Sequence, residues 1–153
     1  MLIVSGDDSD RLAVIRQLFI EYAASIQAEA CLQNFENELN GLPGQYAPPD
    51  GRLLLALDGN EAAGCVALRK HEFGAAEMKR LYVRPAFRGR GYGRELATAI
   101  IAAAREAGYR RLRLDTLPSM SAALALYSSL GFRSIDPYGT DPIPGAEFLE
   151  LDL

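Results

Sequence analysis

Three glycines at alternating positions join a segment that reads as a β-strand to one that reads as an α-helix. The strand pattern covers residues 77–83, Gly89, Gly91 and Gly93 follow, and an alanine-rich helical pattern covers residues 95–107. Glycines let the backbone turn so that several N–H groups face one point, and the N-terminus of the next helix adds partial positive charge. The pattern predicts a phosphate-binding turn between a strand and a helix, which favours an α/β fold.

Arginines concentrate positive charge in this turn, at Arg88, Arg90 and Arg94. The whole chain carries 16 lysines and arginines against 20 aspartates and glutamates, a net charge of −4. That acidic balance argues against nucleic acid or an anionic membrane surface as a partner. A solvated turn with scattered arginines is the simpler alternative, but a local basic excess in an acidic chain favours a site for an anion.

Two known phosphate-binding motifs are missing from the turn, and their absence limits the kinds of phosphate ligand to consider. A P-loop requires Gly-Lys-Ser or Gly-Lys-Thr, and the chain contains neither triplet. The dinucleotide fingerprint Gly-x-Gly-x-x-Gly fails because Arg94 or Leu96 stands where its last glycine belongs. Asp115, at the end of the next predicted strand, does imitate the ribose-binding acid of that fold. A fragment of a nucleotide-dependent oxidoreductase therefore stays as a minor alternative.

Hydrophobic periodicity assigns the other elements. The tripeptide Asp-Gly-Asn at residues 58–60 separates two apolar segments and is a strong hairpin signal. The predicted strands cover residues 2–5, 52–57, 61–68, 77–83, 111–116, 133–135 and 147–153, and the predicted helices cover residues 12–26, 35–39, 95–107 and 121–130. The order βααβββαβαββ predicts one α/β domain with a mixed sheet over residues 1–153, a length that suits a single core.

The two cysteines, Cys31 and Cys65, lack metal-site spacing, and the chain begins without the pattern of a secretory signal. We therefore expect reduced cysteines that serve in packing, a cytoplasmic location and no metal. No apolar run approaches the roughly 20 residues that span a bilayer, so no membrane partner is expected.

Two motifs resemble those of the GNAT family of N-acetyltransferases. Residues 88–93, Arg-Gly-Arg-Gly-Tyr-Gly, resemble the family's Gln/Arg-x-x-Gly-x-Gly/Ala, and residues 125–132, Ala-Leu-Tyr-Ser-Ser-Leu-Gly-Phe, resemble its Ala-x-x-Leu-Tyr-x-x-x-Gly-Phe. The strong resemblance covers residues 77–132, whereas the first 50 residues match in architecture alone. It implies a mixed, largely antiparallel sheet that is flanked by helices and splayed between its fourth and fifth strands.

The resemblance also implies a site for acetyl-coenzyme A (acetyl-CoA) as co-substrate. The backbone of the strand before the turn would pair with the pantetheine arm, and the amides of the turn would hold the pyrophosphate. Many members contact the cofactor through an asparagine seven residues before the motif tyrosine, where this chain has Met120. The implied cofactor-binding residues are Leu81, Tyr82, Val83, Arg88, Gly89, Arg90, Gly91, Tyr92, Gly93, Arg94 and Met120.

Acetyl transfer to an amine needs a base, a proton donor for the leaving thiolate and a donor for the oxyanion. Glu77 matches the position of the glutamate base in the family's histone acetyltransferases, and the alternative is a surface glutamate paired with Lys79. Tyr127 matches the family's proton donor, and the alternative is a core tyrosine on an amphipathic helix. The resemblance assigns the oxyanion to the N–H of Val83.

The function implied is transfer of an acetyl group from acetyl-CoA to a primary amine on a small molecule or peptide, by direct attack. A non-catalytic module that binds acyl-CoA is the alternative, and a homodimer stays open. Acidic residues in the first third of the chain hint at a cationic acceptor, although a solvated helical face would explain them equally well. They are Glu29, Glu36, Glu38 and Asp50.

Overall fold

The computed structural model describes residues 1–26, 35–117, 121–139 and 145–153. The predictions made for Cys31 and Met120 lie outside these ranges. The strands are β1 (Leu2–Ser5), β2 (Arg52–Asp58), β3 (Glu61–Glu72), β4 (Ala75–Val83), β5 (Arg111–Thr116), β6 (Arg133–Ser134) and β7 (Glu147–Asp152). The helices are α1 (Ser9–Ile26), α2 (Phe35–Asn40), α3 (Tyr92–Glu106) and α4 (Ser121–Ser129).

The elements follow the predicted order, with shifted ends. α1 begins at Ser9 rather than at residue 12, because the Asp8 side chain accepts a hydrogen bond from the N–H of Arg11 (2.9 Å) and caps the helix. β3 continues past the predicted end to Glu72, where it still pairs with β4. Over the ranges that the structure describes, no helix is both long and apolar enough to cross a membrane.

The seven strands form one sheet in the order β1-β2-β3-β4-β5-β7-β6. Every neighbouring pair is antiparallel except β4 and β5, which run parallel. The chain reaches β5 from β4 through α3, because parallel neighbours need a crossover connection. The predicted mixed, largely antiparallel sheet flanked by helices is confirmed.

The parallel pair β4 and β5 separates soon after it begins. Ala75, Ala76 and Glu77 pair with β5, and Glu77 lies opposite Arg113 in the last of these pairs. Beyond that point β4 continues beside β3, whereas β5 continues beside β7. The predicted splay between the fourth and fifth strands is therefore present, and it opens a gap within the sheet.

A β-bulge deforms β4 where it borders this gap. The pairs on either side of the bulge are Cys65 with Tyr82 and Ala67 with Lys79, so β4 has one residue more than β3 over this stretch. Arg80 takes a left-handed backbone conformation there, with φ of 60°. A non-glycine residue in that region costs of order 1–3 kcal/mol, and the Cys65 Sγ lies 3.4 Å from the Arg80 carbonyl as a hydrogen-bond donor. The bulge is thus held by the strand beside it.

Apolar side chains cover both faces of the sheet. On one face, Leu96 and Ile100 of α3 pack with Val66 of β3 and Leu112 of β5. On the other face, side chains from α1, β2 and β3 form a second cluster around Phe19. Side chains alternate along each strand, and both β2 and β3 contribute buried apolar side chains to each of the two clusters.

A row of alternating charges crosses five strands on the α1 face, beyond the end of the apolar cluster, and we call it the charge ladder. Its members lie directly opposite one another in the strand register: Arg69, Glu77, Arg113, Glu150 and Arg133. Arg69 Nη2 lies 2.6 Å from Glu77 Oε1, and the Glu150 carboxylate accepts from Arg113 Nε (2.7 Å) and Arg133 Nη2 (2.9 Å). Glu77 and Glu150 are both buried, so each carboxylate depends on its arginine partners.

We predict that Glu150→Gln lowers the free energy of unfolding by about 2 kcal/mol, because the largely buried Arg113 then keeps, among the described residues, only its ion pair with the exposed Glu72. Asp152→Asn on the same strand is the matched control. It removes an exposed partner of Arg133, and we expect a change within about 0.5 kcal/mol. Urea denaturation measures both, and equal losses would contradict the importance of the buried pair.

Candidate active site

The glycine turn ends at an α3 N-terminus whose amides are available to a ligand. Gly91 occupies the N-cap position with φ of 85°, and Gly89 has φ of 79°. Among the described residues, no side chain caps the helix by a hydrogen bond. A Cβ added at either glycine would have no atom within 4 Å, so the space in front of the turn is open. First-turn N–H groups and the helix dipole together suit a phosphate at this point.

The side chains of the turn surround these amides rather than block them. Arg88, Arg90 and Arg94 are all exposed, and their partners are the Val83 carbonyl, Asp58 and the Ser129 hydroxyl respectively. The ring of Tyr92 instead packs in the core against Phe87, with ring centroids 5.9 Å apart. Of the predicted cofactor-binding residues, Tyr92 can therefore contribute through its backbone alone.

β4 has an open edge beyond the splay. The Arg84 N–H donates to the Ala63 carbonyl of β3 (2.8 Å), and successive N–H groups of a strand point to opposite edges, so the Val83 N–H points away from β3. The Val83 carbonyl lies on the same open edge, where it accepts from Arg88 Nε (3.0 Å). This edge can accept an added strand-like ligand.

A groove of about 490 Å³ runs beside the open edge, and we call it the edge groove. Its walls bring together four predicted cofactor-binding residues, Leu81, Tyr82, Val83 and Arg88, with side chains of α1 and α4. The groove thus extends from Arg88, at the start of the glycine turn, toward the splay.

A smaller cavity of about 70 Å³, the central cavity, occupies the gap between β4 and β5. It shares Leu81 with the edge groove, and its other walls include Asp115 and Thr116 of β5 and Tyr127 of α4. Tyr127 is almost fully buried, and its ring packs edge-on against Phe132. Burial, with smaller contributions from Tyr22 and Asp115, raises the pKa of Tyr127 above its usual value, so its phenol stays protonated at neutral pH.

Glu77 lies just before the splay and does not belong to the described lining of the central cavity. Its Oε1 accepts from Arg69 Nε (2.8 Å) and its Oε2 from the Tyr138 hydroxyl (2.8 Å). Burial alone would raise the pKa of Glu77, but the charges of Lys79 and Arg69 and these hydrogen bonds outweigh it and lower the pKa below 4.5. A carboxylate held in this way is a weak base.

A third cavity, the outer pocket, lies on the α1 face and has a volume of about 490 Å³. It shares Lys79 and Arg80 with the central cavity, and Glu38, Tyr46 and Arg69 also line it. The edge groove, the central cavity and the outer pocket therefore follow one another through the splay.

The acids that hinted at a cationic acceptor do not form a free acidic surface. Glu38 Oε1 and Oε2 bind Arg80 Nη2 (3.2 Å) and Nε (3.1 Å), and Oε1 also accepts from the Tyr46 hydroxyl (2.7 Å). Glu36 and Asp50 are exposed, and Glu29 lies outside the described residues. Within those residues, His, Cys, Asp and Glu side chains do not gather into a group that could hold a metal ion.

Sequence reasoning missed several residues of this region. It weighed Asp115 as a ribose ligand, whereas the structure places it in the central cavity beside Lys79 (Oδ1 to Nζ, 3.2 Å). The imidazole of His71 packs on the Tyr138 ring, and its Nδ1 lies 3.3 Å from Arg113 Nη1. The sequence signal was the charged residues at positions 77 and 79 of β4 and at positions 113 and 115 of β5, since residues two apart in a strand lie on the same face.

Comparison with known proteins agrees with this geometry. Residues 13–132 match the model of the acetyltransferase (GNAT) family. An uncharacterized N-acetyltransferase of Schizosaccharomyces pombe is 39% identical over 142 residues, which cover 90% of this chain and 86% of that protein.

Solved structures share the fold. A GNAT family acetyltransferase from Elizabethkingia anophelis with acetyl-CoA bound matches with a TM-score of 0.60 and 29% identity, over 73% of this chain and 82% of that one. The PaiA N-acetyltransferase from Thermoplasma acidophilum, in complex with coenzyme A, matches over 100% of both chains with a TM-score of 0.75, and its 19% identity shows the fold alone. The chain belongs to the GNAT family of acetyltransferases.

Proposed function

We propose that this protein is an N-acetyltransferase that moves the acetyl group of acetyl-CoA directly to a primary amine. The observation that carries the proposal is the succession of three cavities through the splay, from Arg88 at the start of the glycine turn to Tyr127 and on to the outer pocket. Coenzyme and acceptor would thus approach the same point from opposite sides.

The residues of the turn and of β4 fit acetyl-CoA. The open space before Gly91 and the free first-turn amides suit a pyrophosphate, and the open edge of Leu81 and Val83 suits the amides of a pantetheine arm. When bound, acetyl-CoA supplies an activated thioester. The Val83 N–H, which points away from β3, is our candidate donor to the oxyanion.

Tyr127 is our candidate proton donor for the coenzyme thiolate. It lines the central cavity, and its raised pKa keeps the phenol protonated until a strong base forms beside it. The packing of its ring on Phe132 fixes the direction of the side chain.

Two carboxylates are candidates for the base. Glu77 was the choice suggested by family resemblance, but both of its oxygens are already bound and its pKa is lowered. Asp115 lines the central cavity, where an acceptor amine would lie, and its side chain is 31% exposed. We therefore favour Asp115 as the base, acting directly or through water, and Glu77 as a structural anchor of β4.

The phosphate site is tested by Gly91→Val, which we expect to weaken coenzyme A binding about tenfold or more, because the side chain enters the space in front of the α3 amides. Gly108→Val is the matched control. Gly108 follows the other end of α3 with a similar φ of 92° and equally open surroundings, so the backbone strain is alike. Calorimetric titration measures both, and NAD binding in place of coenzyme A would support the oxidoreductase alternative.

The proton donor is tested by Tyr127→Phe. We expect kcat to fall about 10²- to 10⁴-fold while coenzyme A affinity stays nearly unchanged, because the phenol acts on the leaving thiolate alone. Thiol release with a panel of amines measures kcat. A phenylalanine variant with normal turnover would make Tyr127 a core residue, and an active coenzyme site with no turnover of any amine would favour a non-catalytic acyl-CoA-binding module.

The two candidate bases are separated by pH. If Asp115 is the base, Asp115→Asn should lower kcat about 10²-fold at pH 7, and higher pH should restore part of the rate as free amine accumulates. Glu77→Gln should instead alter stability. The folded state favours ionised Glu77, so its contribution is present above pH 4.5 and is lost as the pH falls through the lowered pKa.

Thermal unfolding between pH 3 and pH 7 should therefore depend less on pH in Glu77→Gln than in the parent protein. A rate defect in Glu77→Gln that high pH repairs, with Asp115→Asn unaffected, would assign the base to Glu77.

A further inference from the structure

We propose that the acceptor carries an anionic oxygen group, a carboxylate or a phosphate, near its amine, and that the outer pocket binds this group through Arg69, Lys79 and Arg80. The proposal rests on the proposed acetyl transfer and names the class of its acceptor. Its basis is the charge and the hydrogen-bonding capacity of the outer pocket.

The described lining of the outer pocket is positively charged in a protein that is negative overall. Three cations, Arg69, Lys79 and Arg80, face one anion, Glu38, a balance of +2 (three minus one), against −4 for the chain. The acids that pair with two of these cations lie elsewhere: Glu77 is buried in the charge ladder, and Asp115 lines the central cavity. An anion in the pocket therefore meets the cations first.

The two arginines keep hydrogen-bond donors for a ligand. Arg69 binds Glu77 through Nε and Nη2, and Arg80 binds Glu38 through the same pair of nitrogens. Neither Nη1 forms a hydrogen bond with a described residue. Each guanidinium is thereby fixed in direction by one carboxylate and can donate to a second one from its other side.

The single acid of the pocket is already neutralised. The Glu38 carboxylate accepts two hydrogen bonds from Arg80 and one from Tyr46, so little of its charge remains to attract an ammonium group. Arg80 also lies over the rings of Tyr22 (5.7 Å) and Phe35 (5.6 Å), which hold it in place. A purely cationic amine would find no free counter-charge among the described walls of this pocket.

Lys79 connects the site for the anionic group of such an acceptor with the site for its amine. It lines both the outer pocket and the central cavity, and its ammonium pairs with Asp115. An anionic group held in the outer pocket would direct the amine of the same molecule toward Asp115 and Tyr127. The acceptor class that satisfies both ends is an amino acid or an aminoalkyl phosphate.

The first measurement is binding, which does not require turnover. The protein saturated with coenzyme A is titrated with the N-acetylated forms of aspartate, glutamate, β-alanine and phosphoethanolamine. Each N-acetylated amino acid is compared with its carboxamide, and N-acetylated phosphoethanolamine is compared with the alcohol that lacks the phosphate. We expect the anionic member to bind about tenfold or more tightly, because charge-assisted hydrogen bonds are the strong ones. Equal or tighter binding of the neutral members, or binding of none, would overturn the proposal.

The second measurement uses Lys79→Gln with Lys70→Gln as its control. Lys70 is the neighbour of Arg69 on β3, but it is exposed and does not line the outer pocket, so its substitution removes the same charge from outside the pocket. Lys79→Gln should reduce the anionic-over-neutral preference severalfold, and Lys70→Gln should leave the preference unchanged. A structural effect of Lys79 would weaken both members equally and would contradict the proposal.

The kinetic outcome separates this inference from acetyl transfer itself. Efficient acetylation of diamines that carry no anionic group, without acetylation of amino acids and aminoalkyl phosphates, would overturn the anionic acceptor and leave the transferase in place. Selective binding of anionic members without turnover of any amine would overturn the transferase and leave the anion site in place.

Discussion

The separation of β4 from β5 is the constraint on which the rest of the structure depends. Two parallel strands pair over only three residues and then part, each keeping its other neighbour. The bulge at Arg80 turns β4 away from the direction that continued pairing would require, at the cost of a left-handed backbone at a residue with a side chain. The gap this leaves holds the central cavity and exposes the backbone edge of β4 to a ligand.

The charge ladder explains how a sheet with such a gap stays closed at one end. Glu77 lies in the last pair before the splay and is tied to β3 through Arg69 and to the chain after β6 through Tyr138. Breaking any of these contacts would leave the buried Glu77 carboxylate with too few partners, which would destabilise the folded state. The same contacts that make Glu77 a good anchor make it a weak base, and they shift our choice of base to Asp115.

The GNAT framework and the particular charges of this chain contribute different things. The uncapped helix, the open strand edge and Tyr127 belong to the part of the chain that matches the family, and in our proposal they serve the coenzyme. The outer pocket is built largely from α2 and the loop that follows it, and its positive charges come from Arg69 of β3 and from Lys79 and Arg80 of β4. Differences in acceptor are therefore expected to reside in the charges of that pocket and not in the coenzyme site.

The sequence by itself determined the order of elements, the glycine turn between β4 and α3 and the family, because hydrophobic periodicity, glycine spacing and helix caps act over a few neighbouring residues. It also placed Tyr127 correctly on the fourth helix. It could not determine that residues 69, 77, 113, 133 and 150 form one ladder, that both oxygens of Glu77 are bound, or that Asp115 and Tyr127 line the same cavity. Those facts depend on strand register and on a single bulge in β4, and register is decided by packing between segments far apart in the chain.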